Sequence, residues 1–445
     1  MISTFINAWK IADLRKKMLF TALIVLIFRI GAAIPVPFTN ITDGITPEGT
    51  ETFMNYLNMM TGDAFNYGTI FALSVTPYIN SSIIIQLLSI AIPYLEKLSK
   101  DGEEGRKKIA TITRYTTLAL GLLQSTAYYI YLRAQTNTDG TVKYLVGTAD
   151  GQLFTGFAAV LQALSIILVL TAGSCFVMWL GEQVNDKGIG NGVSMILFAG
   201  IVSRIPTIAT QLYSYFTMGG AYYALVPIVI VCLLAMIAFI VWMDNAERRI
   251  PVQYAKRVVG RKMYGGQSTH IPIKVNMSGV LPVIFASSIL SLPPTIQMFM
   301  NQDTMKEGTK KFFALFQSTH WVYAILYFVL ILFFAYFYAS IQYNPVEMAN
   351  NIRKNSGMIP GIRPGKPTAD YIQKILNRIT LMGALLLSVI ALFPNLLTLF
   401  TTLIGRQMAL SLGGTSLIIV VGVALETVKA LESQMMMRHY KGFLD

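Results

Sequence analysis

The sequence predicts an all-α integral membrane protein of ten transmembrane helices, arranged as two inverted five-helix halves. Three observations carry that expectation. Of the 445 residues, 54% are hydrophobic and only 13% charged, more apolar surface than a water-soluble shell can cover. Long apolar stretches recur along the whole chain, each near the roughly 20 residues that a helix needs to cross about 30 Å of hydrocarbon. The basic residues also favour one side. Of the 35 Lys and Arg, 27 fall in the terminal segments, the loops 96–114, 181–190, 244–276 and 342–374, and the adjoining helix ends, against seven in the opposite loops. That is a positive-inside pattern.

The first apolar run, Met18 to Pro37, is of span length and is expected to be a retained anchor, not a removed signal. Spans are predicted at 18–36, 69–95, 113–132, 156–180, 190–209, 222–243, 277–300, 320–341, 375–397 and 409–433. An even count puts both termini on one side, and the charge bias makes that side cytoplasmic. Dividing the chain near residue 215 leaves five spans in each of 1–215 and 216–445. An odd number inverts the second half relative to the first, as in transporters with internal pseudosymmetry.

Two spans look irregular. In TIFALSVTPYINSSIIIQLL, Pro77 lacks a donor and crowds the preceding turn, so the helix should break or kink there. The piece before it, Thr61 to Thr76, covers at most about 24 Å at 1.5 Å per residue. It must be shielded by protein or line a cavity. The fifth span opens on Gly188-Ile189-Gly190-Asn191-Gly192, read as a close-packed helix start and not a phosphate loop, and ends near Ile205, before Pro206.

Several chemistries are excluded. Cys175 and Cys232 sit in apolar runs and imply no disulfide framework. His270, His320 and His439 share no metal-ligand spacing. No cofactor is expected, and with no GxxxxGK[ST] loop any ATP-driven work must come from a partner. Ion-coupled transporters usually hold carboxylates in the membrane, and here only Glu426 lies well within a span. That weighs against the rival reading, a secondary transporter of a small solute, as do the large basic loops. An intramembrane enzyme would need an acidic dyad or a usable His/Ser pair, and neither is found. Arg29 is the mid-span base, and a buried cation must have a partner or point to water. Asn80, Gln86, Gln124, Gln162, Ser287 and Ser288 are available for helix-to-helix hydrogen bonds of about 1 kcal/mol each or less. Loop 244–276 concentrates Arg248, Arg249, Lys256, Arg257, Arg261 and Lys262, a patch suited to an acidic protein surface, RNA or lipid headgroups.

Specific strings then bear on identity. FRIGAAIPVP (Phe28 to Pro37), FALSVTPYINSSIIIQLL (Phe71 to Leu88), WLGEQVNDKGIGNGVS (Trp179 to Ser194), AERRIPVQYAKR (Ala246 to Arg257), STHIPIKVNMSGVLPVIFASSI (Ser268 to Ile289), PGIRPGKPTADYI (Pro360 to Ile372) and GGTSLIIVV (Gly413 to Val421) resemble bacterial SecY, the pore subunit of the SecYEG protein-export translocon. The resemblance runs in order through nearly the whole chain. Phe38 departs from it, standing in an external turn where the family commonly has glycine.

The resemblance implies a central pore with a lateral gate, closed outside by a short plug helix and at its waist by an aliphatic ring. Carried over by position, the ring is Val75, Ile79, Val193, Leu197, Ile284 and Ile419. The plug is about 61–72, with Thr61, Gly62, Phe65, Tyr67, Ile70 and Phe71. The gate between the second and seventh spans takes Asn80, Gln86, Gln124, Ser287 and Ser288. Arg248, Arg249, Lys256, Arg257, Arg261 and Arg363 correspond to the docking surface for the SecA ATPase and the ribosome, with ribosomal RNA a possible contact. The implied partners are SecE, a SecG-type subunit, SecA, the ribosome, signal peptides, nascent chains and membrane lipids. The implied location is the bacterial cytoplasmic membrane, and the implied activity is passage of unfolded polypeptides with no covalent step.

Overall fold

The computed structural model describes residues 2–41, 44–45, 58, 60–135, 143–146, 154–220, 222–254, 257–259, 262–264, 268–290, 292–298, 307–316, 320–403 and 414–441. The frame is helical: α1 (Ile2–Lys10), α2 (Ala12–Gly31), α3 (Thr76–Ala91), α4 (Pro93–Lys100), α5 (Gly102–Ala134), α6 (Phe157–Lys187), α7 (Gly192–Val202), α8 (Ile205–Thr217), α9 (Tyr222–Asn245), α10 (Leu281–Leu290), α11 (Leu292–Met298), α12 (Glu307–Ala314), α13 (Trp321–Gln342), α14 (Pro345–Lys354), α15 (Lys366–Leu403) and α16 (Gly414–Lys441). Leu, Ile, Val and Phe dominate the long helices, and one apolar cluster draws buried side chains from α2, α3, α6, α7, α9, α10, α13, α15 and α16. Among the described residues, five segments are long and apolar enough to cross a membrane, or six if the bent pair α3–α4 counts as one. Other helices fall short for visible reasons. Helix α2 carries Arg15, Lys16, Lys17 and Arg29, α5 is rich in Tyr and Thr, and α10 has ten residues.

Three expectations are corrected. Pro77 does not break a helix; it lies in the first turn of α3 behind the N-cap Val75, where its missing N–H leaves no bond unmade. The sharp bend, 106°, comes instead between α3 and α4, where Pro93 restarts the helix. Second, residues 62–75 are not helical. The helix ends at Thr61, and the chain proceeds through turns with positive φ at Gly62, Asp63, Gly68 and Ser74. Third, the fifth span does not stop near Ile205. After α7 the chain turns at Ser203 and Arg204, and α8 continues with Pro206 in its first turn, 26 residues in all.

The glycine run before α7 is a helix start, as expected. Asn191 caps α7, its side chain accepting from the Val193 and Ser194 N–H groups at 3.1 and 3.3 Å. Phe38, the departure from the family string, adopts φ 63°, the left-handed region that glycine favours.

The two largest basic loops fold into one layer. Strands β1 (Glu247–Tyr254) and β4 (Ser268–Lys274) pair antiparallel with Arg249 opposite Pro272, and β5 (Gly357–Met358) adds to β1 through Gln253 and Met358. Between β1 and β4, β2 (Arg257–Val259) and β3 (Lys262–Tyr264) form a small hairpin. Ile250 and Val252 alternate inward from β1 and pack with Ile273, Ile352, Ile359 and Ile372. This seats the sheet on α14 and α15.

Helices α6 and α7 touch backbone to backbone, because a Cβ on Gly192 would collide with the Gly181 carbonyl. Gly192→Ala should therefore destabilise the protein by about 1–3 kcal/mol, the usual range for overpacking. Gly308→Ala on α12, with nothing within 4 Å of the added carbon, should be neutral. Thermal unfolding of the two variants in detergent checks the contrast.

Candidate functional site

Residues 61–75 pack against the C-terminal parts of α2, α5 and α7 and against the middle of α6. Each helix makes room in its own way. Gly31, closing α2, leaves space for the Phe71 ring, which stacks between Phe28 and Phe176 at centroid distances of 6.0 Å each. Gly173 on α6 faces the Ile70 carbonyl, where any side chain would clash. At Gly62 a Cβ would come within 2.7 Å of Ser203 Oγ and 2.8 Å of the Gly200 carbonyl. Thr61, Gly62, Phe65 and Phe71 are buried, Ile70 is half-buried and Tyr67 is exposed.

Polar anchors fix the same segment. Arg29 Nη1 donates to the Gly62 carbonyl at 3.1 Å. Arg204 Nε lies 3.1 Å from Asp63 Oδ2. Tyr128 Oη donates to the Phe65 carbonyl at 2.8 Å, and its ring meets the Phe65 ring edge-on at 4.8 Å. Strand-like bonds join Val36 N to Gly68 O and Ile70 N to Ile34 O, both 2.9 Å. The sequence called for a partner for Arg29 but did not single out Asp63, Arg204 or Tyr128. The only signal for Arg204 was a basic residue on the side where few occur.

Directly after this segment come the six aliphatic positions. Val75, Ile79, Leu197, Ile284 and Ile419 are buried, and half-buried Val193 packs with them in the central cluster. Val75 caps α3 with Ile79 one turn on, and Val193 and Leu197 are one turn apart on α7. Ile284 comes from α10 and Ile419 from α16. Both halves of the chain thus meet at the cluster.

Helix α3 packs against α10, and α5 against α11. Asn80, Ser287 and Ser288 are buried and Gln86 and Gln124 half-buried. Gln86 Nε2 reaches Ser82 Oγ at 3.5 Å, and Ser287 Oγ donates to the Ile284 carbonyl at 2.9 Å, each within its own helix. Gln162 is spent elsewhere, donating to the Val146 carbonyl at 2.9 Å.

On the basic sheet, Arg248 and Arg249 are exposed, and Arg249 Nε pairs with Glu247 Oε1 at 2.7 Å. Arg363 is exposed in the turn before α15, whose start is braced by Thr368 Oγ1 donating to the Arg363 carbonyl at 2.8 Å. Arg257 belongs to β2, and Lys256 and Arg261 lie outside the described residues. Asp244, at the foot of the sheet, accepts from Asn276 Nδ2 at 3.1 Å and lies 3.7 Å from Lys429 Nζ of α16.

A groove of about 500 Å³ runs between α2, α7 and α16. Met18, Ala22 and Val25 recur along one face of α2, Phe198 and Val202 along α7, and Leu431 marks α16. Its lining is mainly apolar, with Thr21, Arg29, Ser203 and Thr427 as the polar members.

This is a helical membrane protein with an apolar centre where its halves meet and a non-helical segment, residues 62–75, packed among α2, α5, α6 and α7, and its fold is similar to that of solved protein-conducting channels. One structure described as a protein conducting channel matches with a TM-score of 0.64 at 18% identity, covering 95% of this chain and 92% of that one. Sec61 in the canine ribosome–channel complex from the endoplasmic reticulum matches with a TM-score of 0.61 at 16% identity and the same coverage. The chain belongs to the SecY family. The SecY family model matches residues 69–428, and the protein translocase subunits SecY of Streptomyces galbus and Mycobacterium bovis are each 42% identical over the full length of both chains.

Tyr128→Phe removes the hydroxyl that holds Phe65 and should loosen residues 64–69 at a cost of about 1 kcal/mol. Faster amide hydrogen exchange across that segment, with the basic sheet unchanged, is the expected reading.

Proposed function

We propose that this protein is the channel through which unfolded, signal-bearing polypeptides cross the bacterial cytoplasmic membrane, and from which transmembrane segments pass sideways into lipid. The observation that carries the reading is full-length kinship to SecY translocase subunits; it is supported by six aliphatic positions from both halves that share the buried central cluster with Phe71 of segment 62–75, which we read as a stopper. An aliphatic constriction excludes ions by dewetting yet deforms around an apolar passenger. No covalent chemistry is required of this chain.

In this reading ten spans form two inverted five-helix halves, 1–215 and 216–445, with both termini cytoplasmic. Helices that fail a strict apolarity test are tolerated because they are shielded by protein. A signal sequence wedges apart α3 and α10 along Asn80, Gln86, Gln124, Ser287 and Ser288. The basic sheet, with Arg248, Arg249 and Arg363 exposed, suits an acidic motor surface or ribosomal RNA. A Sec61 relative has been seen in a ribosome–channel complex, which supports the ribosome as one driver and leaves SecA as the other. The groove between α2, α7 and α16 matches a single membrane helix, the role expected of SecE, with a SecG-type subunit as a further companion.

The direct test is reconstitution. Proteoliposomes holding this chain, SecE and SecA should import a signal-bearing preprotein in an ATP-dependent manner, and failure to do so sinks the reading. Ile79→Ser and Ile284→Ser should raise resting ion leak, and unchanged conductance would count against the ring. Charge reversal at Arg248 and Arg363 should weaken ribosome binding and flatten its salt dependence, measured by co-sedimentation.

A further inference from the structure

We infer that Arg204 and Asp63 form an ionic latch that holds the stopper shut, and that Arg204 is the positioning residue of the closed state. The inference rests on the channel reading above. Its evidence is the local construction of the stopper's first turn.

Gly62 and Asp63 are consecutive residues in the left-handed region, at φ 64° and 69°. Glycine adopts that conformation freely, and aspartate is among the few other residues that tolerate it, at a modest cost that its surroundings offset. The surroundings are two arginines from separate elements. Arg29, in the last turn of α2, grips the Gly62 carbonyl, and Arg204, in the turn between α7 and α8, faces the Asp63 carboxylate.

Arg204 is an unusual residue to bury. It is 7% exposed, and its Nη1 has no hydrogen-bond partner. Its Nε, although 3.1 Å from Asp63 Oδ2, makes no well-directed hydrogen bond either. Opposite charge is therefore the main bond between this side chain and Asp63. A buried cation left without its counter-charge is strongly unfavourable. Each partner thus favours the other's place, and the loss of either should loosen the turn, leaving Arg29 on the Gly62 carbonyl as its remaining side-chain anchor.

The latch also has a side. Arg29, Tyr128, Gly173, Gly200 and Arg204 all belong to the N-terminal half, residues 1–215. Separation of α3 from α10 parts the two halves without pulling on any of these contacts. Opening toward lipid and withdrawal of the stopper are then separate events, and the second waits on the Asp63–Arg204 pair.

The test measures exposure of the buried stopper. Thr61→Cys is introduced into the full chain with its partner subunits in nanodiscs, in a Cys175→Ala, Cys232→Ala background, because Thr61 is 0% exposed. Its rate of reaction with a water-soluble maleimide should rise at least about tenfold in Asp63→Asn and in Arg204→Gln, as befits loss of a buried charge pair. Arg204→Lys, which keeps the charge, should stay within about threefold of the parent. Rates within about twofold of the parent in both neutralised variants overturn the latch, as does an Arg204→Lys variant that reacts as fast as Arg204→Gln. Should Arg204→Gln fail to fold, Asp63→Asn against Arg204→Lys decides. Ile79→Ser is read in parallel for ion leak and import. Raised leak there, with unchanged thiol reactivity in the latch variants, removes the latch and leaves the channel reading standing.

Discussion

A polypeptide at membrane depth must satisfy its own backbone hydrogen bonds, and in this protein that demand falls on one short segment. The helices meet it internally. Residues 62–75 meet it only in part, through turn bonds such as Ala72 N to Thr69 O and Ser74 N to Phe71 O, and other polar groups are met from outside: Gly62 by Arg29, Phe65 by Tyr128, Gly68 by the Val36 amide, and Ile70 by the Ile34 carbonyl. These groups come from the last turn of α2, the chain just after it, and α5, so the N-terminal half is organised in part by the need to house a non-helical stretch of chain.

Close approach does the remaining work. Gly31, Gly62, Gly173 and Gly200 all sit where a side chain would strike the stopper or its seat. Small residues at such contacts allow backbone-level packing where no hydrophobic effect drives helices together in lipid. The opposite end of the molecule is built differently. There Asp244 gathers Asn276 and Lys429, tying the basic sheet to α16 through polar contacts near water.

Much of this was legible in the sequence because it depends on composition and period. Span-length apolar runs, the charge bias and the short piece near 61–76 all follow from counting, and Arg29 announced its need for a partner. The aliphatic positions came from family strings, since isolated aliphatics in a span look like any packing residue. Pro77 was misread because a proline that starts a helix and one that breaks it look alike inside a continuous apolar run. The β1–β4–β5 layer was hidden in loops whose charge overshadowed the short alternation at Ile250 and Val252. Asp63 and Arg204 were invisible for a different reason: the pairing is tertiary, between residues far apart in the chain, and neither carries a local motif.

The two closures proposed above would obey different physics, and this bears on how such a channel could seal and still pass varied cargo. Contacts among Val75, Ile79, Val193, Leu197, Ile284 and Ile419 are non-directional, so they can part around a moving chain and close again with little dependence on its sequence. The stopper is held by directional bonds, a charge pair and tight glycine contacts, which have one good geometry and little value when displaced. A seal of the first kind alone would yield gradually to any apolar segment. A seal of the second kind alone could not refit around a passenger. In the proposed channel, with the two in series and Val75 following the stopper's last turn, the directional seal would set a threshold for opening and the aliphatic one would limit leakage once that threshold had been passed.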